Sequence, residues 1–157
     1  MNDRNLRVAV CVLAAAGAAI AGYLLYERWT GGVLVCSTGG CETVQHSRWS
    51  KLAGIPVATL GLAGYIGIFI SVWIRGEFGR AIGFALSLVG FLFSMYLTYR
   101  EAFTIHAYCQ WCLGSAAIMT LLAILTTLRM LRTDGETAAP RKPADRAERR
   151  RQMAARR

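Results

Sequence analysis

Polar and apolar positions in this chain fall into long blocks rather than alternating residue by residue. Four uncharged, mostly apolar stretches stand out: Val8 to Tyr26, Ile55 to Ile74, Ala81 to Tyr99 and Cys109 to Leu128. Each is close to the roughly 20 residues that a helix needs to cross the hydrocarbon core of a bilayer. The pattern predicts an all-α integral membrane protein, with residues 1–132 forming one four-helix transmembrane domain. The stretch from 27 to 54 is more polar and predicts a loop or half-helix outside the core, with Trp49 as an interfacial anchor. Beyond residue 132 the apolar pattern ends. Residues 133–157 carry many charges and few apolar side chains, a composition that cannot bury a core and predicts a disordered basic tail.

Within the blocks, small residues recur at helical spacing. The first contains Ala14-Ala15-Ala16-Gly17-Ala18-Ala19, the second Gly61, Gly64 and Gly67, and the third Gly83, Ser87, Gly90 and Ser94. Small side chains let membrane helices approach closely, so these stripes predict packing seams and a compact bundle with little space between helices. Pro56 stands near the first turn of the second helix, where a missing N–H costs least. The segment from Arg75 to Arg80 is short enough for a tight turn only.

Charge settles how the blocks are threaded. Of the 18 Lys and Arg, only Arg28, Arg48, Lys51 and Arg100 lie on the side opposite the two termini. By the positive-inside rule both termini are cytoplasmic, and the 27–54 and 100–108 segments face outward. The first block could be a cleaved signal peptide, since Arg4 and Arg7 precede it and Ala19-Ile20-Ala21 resembles a cleavage site. Its apolar stretch is longer than a signal core, which favours a retained helix. A net charge of +9 with 55% apolar residues is not the composition of a soluble globule. No aromatics interleave with the tail arginines, so weak contact with anionic lipid suits the tail better than nucleic acid does.

The chemistry-bearing residues are cysteines. Cys109-Gln110-Trp111-Cys112 opens the fourth block, and Cys36 and Cys41 lie in the outward loop, separated by Ser37-Thr38-Gly39-Gly40. Vicinal thiols at a helix start are suited to making and breaking a disulfide, because free N–H groups there stabilise a thiolate. The loop spacing allows a disulfide without demanding one. Four cysteines in two pairs admit two static disulfides, a metal or iron–sulfur site, or a thiol–disulfide relay. Only the relay uses every feature; a metal-binding or transport protein with the four cysteines as ligands is the alternative. Cys11 lies within an apolar helix and reads as inert packing. His46 and His106 read as interfacial polar residues.

Cys36, Cys41, Ser47-Arg48-Trp49, Gly54-Ile55-Pro56 and the late Cys109-Gln110-Trp111-Cys112 resemble the vitamin K epoxide reductase family, in its bacterial form without a fused thioredoxin domain. The resemblance covers roughly residues 8 to 130, and its most specific part is the order: loop pair and serine before the second helix, Cys-x-x-C opening the fourth. It implies a membrane thiol oxidoreductase of the bacterial plasma membrane that passes electrons to a quinone, either ubiquinone or menaquinone. By the resemblance, Cys109 and Cys112 form the disulfide beside the quinone, Cys41 exchanges with Cys109, Cys36 meets the partner, and Ser47 matches a functional serine. It places Val57, Leu60 and Ala116 about the quinone with Cys112. The implied partner is a separate periplasmic thioredoxin-like, DsbA-like protein. Two departures concern the epoxide: Ala116 stands where the animal enzyme has a tyrosine, and Val57 or a neighbour where it has an asparagine.

Overall fold

A computed structural model of the chain describes residues 3–32, 35–36, 39–52, 54–74 and 76–138. Helix α1 (Asp3–Thr30) takes up the first apolar block and stops at Gly31, whose φ of +65° suits a residue without a Cβ. A short helix α2 (Cys41–His46) and one 3-10 turn, Arg48–Ser50, follow. They lead into a two-residue antiparallel hairpin, β1 (Lys51–Leu52) and β2 (Ile55–Pro56), with Leu52 opposite Ile55. Helices α3 (Val57–Ser71), α4 (Glu77–Arg100) and α5 (Gln110–Ala138) complete the bundle, and α4 runs directly into a single π-helical turn, Glu101–Ile105.

The protein is therefore an all-α membrane bundle, but its second span departs from the expected length. Among the described residues, Arg4–Thr30, Glu77–Ile105 and Gln110–Arg132 are long and apolar enough to cross a membrane. The block from Ile55 to Ile74 yields a helix of only 15 residues, about 22 Å at 1.5 Å per residue. Pro56 stands at its cap with an extended ψ of 133°, so Ile55 and Pro56 join the hairpin instead. At the other end the helix gives way after Ser71 to tighter turns, with Val72 N–H reaching Phe69 carbonyl and Trp73 N–H reaching Ile70 carbonyl.

Helix α1 packs on α3 and α5, and α4 on α5 and α3. Val10, Ala14, Tyr65, Ile68, Met119 and Leu122 form the main core. Gly83, Ser87 and Gly90 of α4 make close contacts of the kind that their spacing predicts. A Cβ on Gly83 would lie 2.7 Å from Ser71 Oγ, and one on Gly90 would lie 2.8 Å from Met119. The buried Ser87 Oγ and Thr126 Oγ1 hydrogen-bond across α4 and α5 at 2.6 Å.

The glycines of α3 behave differently. Gly67 meets Leu86, but a Cβ on Gly61 or Gly64 would meet nothing within 4 Å. These two glycines line a cavity of about 570 Å³ between α3 and α4. The expectation of little space between helices is corrected here: small residues allow approach, and without an approaching neighbour they leave room. Helix α5 also continues to Ala138, past the expected domain edge at 132. The rest of the basic tail, from residue 139, lies outside the described residues.

Candidate active site

All four paired cysteines gather at one end of the bundle. Cys36 and Cys41 are joined as a disulfide with their Cα atoms 6.1 Å apart. Cys41 opens α2 and is fully buried, as is Cys109, and the two share an apolar cluster with Leu24 and Val44 against which Cys36 and Cys112 also pack. A glycine makes this possible. A Cβ on Gly40 would lie 2.7 Å from the carbonyl oxygen and 2.8 Å from the nitrogen of Tyr108, so the backbone before Cys41 lies directly against the backbone before Cys109.

The second pair is in the thiol form. Cys109 caps α5, its carbonyl accepting from Leu113 N–H at 2.9 Å, and Cys112 N–H is directed at Cys109 Sγ at 3.4 Å. An N–H aimed at sulfur from the first turn of a helix favours negative charge on it, which a nucleophilic or leaving thiol needs. The two residues between the cysteines hold the other loop. Trp111 Nε1 donates to Val35 carbonyl at 2.9 Å, and Gln110 Nε2 donates to the same oxygen at 3.3 Å. The Trp111 ring packs against Tyr23 of α1 with centroids 5.1 Å apart, and Tyr23 Oη accepts from Val35 N–H at 3.5 Å. Sequence reading assigned no role to Tyr23, Gln110 or Trp111. The partner of Gln110 and Trp111 lies 75 or 76 positions away, and the middle residues of a Cys-x-x-C carry no signal of their own.

Cys112 opens onto the cavity, and Val57, Leu60, Ala116 and Ser47 stand on its wall with it. Ser47 closes the end of α2 at the cavity's edge, its Oγ donating to Val44 carbonyl at 2.7 Å and its backbone N–H to the same carbonyl at 3.2 Å. Tyr65 closes the inner side. Its hydroxyl donates to Ser115 carbonyl at 2.9 Å and lies 2.8 Å from Ser115 Oγ. Its ring occupies the space that a side chain at Gly17 would need, so α1, α3 and α5 are pinned together beneath the cavity. His46 and His106 are exposed. Cys11 packs beside the main core in α1, apart from the other thiols. Among the described residues no three His, Cys, Asp or Glu side chains are grouped to hold a metal.

A loop disulfide pressed against a Cys-x-x-C dithiol can exchange with it. A dithiol facing an apolar cavity of this size, within the range of small-molecule sites, can pass electrons to something bound there. The description "Vitamin K epoxide reductase family" belongs to the family model that matches residues 8–127. The chain belongs to the vitamin K epoxide reductase family. The match contains both cysteine pairs, Ser47 and most of the fourth apolar block, and ends before the basic tail. Membership makes the protein a membrane thiol oxidoreductase.

Proposed function

We propose that the protein oxidises a separate thioredoxin-like, DsbA-like protein outside the bacterial plasma membrane and delivers the electrons to a quinone in the α3–α4 cavity. One observation carries this reading: the Cys36–Cys41 disulfide is packed against Cys109 and Cys112, and Cys112 opens onto an apolar cavity. A partner thiolate attacks Cys36, and the partner's second thiol releases it as a disulfide, leaving Cys36 and Cys41 reduced. Cys41 attacks Cys109 of a Cys109–Cys112 disulfide, and Cys112 leaves as thiolate and takes up a proton from water. Cys36 then closes on Cys41, and the Cys109–Cys112 dithiol gives two electrons to the quinone.

The chain contributes proximity and an apolar enclosure, and the driving force is the quinone's. The glycine face of α3 gives the cavity its width, and Leu60 and Phe93 supply apolar wall on either side. In this reading the thiol end is extracytoplasmic and both termini are cytoplasmic. The loop disulfide leaves a four-thiolate metal site, the alternative use of these cysteines, two ligands short. Purified protein should reduce a soluble quinone with dithiothreitol well above the uncatalysed rate. Cys109→Ala and Cys112→Ala should each lower that rate at least about a hundredfold, and Cys11→Ala should leave it unchanged. Full activity in Cys112→Ala would overturn the reading.

A further inference from the structure

Two protons must follow two electrons onto a quinone, and an apolar cavity offers few groups to carry them. Glu101 is the one carboxyl among the described residues that line it. Glu101 lies near the end of the membrane-spanning stretch Glu77–Ile105 and is only 4% exposed. Its surroundings point to the thiols: Cys109 N–H donates to Oε2 at 3.3 Å, and Glu101 lines the same cavity as Cys112. The neighbouring cation is turned elsewhere, since the Arg100 guanidinium lies 4.0 Å from the centre of the Trp49 ring.

The backbone around Glu101 is built to place it. Glu101 opens the π-helical turn at the end of α4, and such turns interrupt regular helix at functional sites. His106 follows in the left-handed region at φ 54°, uncommon for a side chain of this size, and reverses the chain so that Cys109 returns over the carboxyl. A glutamine would accept the same N–H without bringing an ionisable group out of water, which makes a carboxyl a costly choice for a purely structural tie.

We propose that Glu101 carries a proton from the Cys112 thiol to the nearer oxygen of the quinone. This rests on the quinone reading above. The Cys112 S–H bond breaks and its proton passes to the Glu101 carboxylate; the Cys109–Cys112 bond forms as two electrons leave for the ring. The Glu101 carboxyl then gives that proton to the nearer oxygen. Cys109 releases the second proton to water on the extracytoplasmic side, and the farther oxygen takes one up from water. Two thiols and one quinone become one disulfide and one quinol, and Glu101 ends as it began. Because in this step the carboxyl hands a proton directly to the quinone, its role is catalytic.

The test separates the two half-reactions. In Glu101→Gln, quinone reduction should fall by about a hundredfold, in line with the loss of a general acid–base group. The rate at which dithiothreitol opens the Cys36–Cys41 disulfide, followed by thiol alkylation and gel shift, should stay within about twofold. In Glu101→Ala, added formate should restore quinone reduction severalfold, and equimolar chloride should not. Native-like quinone reduction in Glu101→Gln overturns the proposal. So does an equal fall in both half-reactions, which would make Glu101 a structural tie, and so does a loss in Glu101→Ala that formate leaves untouched. If the native protein itself reduces no quinone, the functional reading fails with it; if only the Glu101 outcomes fail, the reading stands.

Discussion

At Gly40 the contact between the two cysteine pairs depends on the absence of one methyl group. Its backbone has a negative φ of −94°, which an alanine can adopt, so Gly40→Ala should disturb only the packing of this residue against Ala107 and Tyr108. The added Cβ would sit 2.7 Å from the Tyr108 carbonyl oxygen, and backbone rather than a flexible side chain would have to move. In a Cys36→Ala background, Cys41 has no loop partner and should accumulate as a crosslink to Cys109, readable by digestion and mass spectrometry without reduction. Adding Gly40→Ala should lower that yield about tenfold, since displacement of reacting groups by a fraction of an ångström to an ångström costs this much or more. An unchanged yield would show that some other contact aligns the pairs. A crosslink of Cys41 to Cys112 would reverse the order of the inner pair.

Helix α3 is where sequence pattern and structure part company at the scale of an element. Its three glycines share a face, yet Gly61 and Gly64 meet no neighbour within 4 Å and instead widen the cavity beside Cys112. This separates function from stability in a single substitution. Gly64→Leu adds a side chain where there is room for it and removes a glycine from a helix interior, worth roughly 0.8 kcal/mol in propensity. Thermal stability should hold or rise. The new side chain would occupy the proposed quinone volume, so KM for quinone should rise about tenfold while the opening of the loop disulfide by dithiothreitol stays as in the native protein. A native KM in a stable Gly64→Leu protein would place the quinone elsewhere.

For the whole molecule, the distribution of charge and the position of the thiols make one joint prediction. All four paired cysteines lie at the end of the bundle opposite the termini, beyond Thr30 of α1 and before Gln110 opens α5 or within its first turn. Reporter fusions at the C-terminus should therefore show a cytoplasmic location. A membrane-impermeant thiol reagent should reach Cys36 in reduced whole cells from outside. Truncation from Arg141 onward should leave insertion, orientation and quinone turnover within about twofold, because Arg4, Arg7, Arg75 and Arg80 remain to hold the orientation. A truncated chain that inserts normally but no longer turns over would give the tail a role in the reaction.

What the sequence determined by itself was whatever depends on local composition: the apolar blocks, the all-α membrane class and the grouping of the chemistry into a loop pair and a Cys-x-x-C. Free energy of transfer into a bilayer adds up along the chain, so hydropathy over about 20 residues already decides it. The order of Cys36, Cys41, Ser47 and the late Cys-x-x-C was enough to point to the family. Tertiary structure alone decided the rest. Whether a glycine stripe becomes a seam, as at Gly83, or a cavity wall, as at Gly61 and Gly64, depends on how near the facing helix comes, and the stripe reads the same in either case. The anchoring of Val35 by Gln110 and Trp111, and the return of Cys109 over Glu101, join residues that only the folded backbone brings together. Such contacts leave no mark in local pattern, because hydrogen bonding and close packing depend on distance in space and not along the chain.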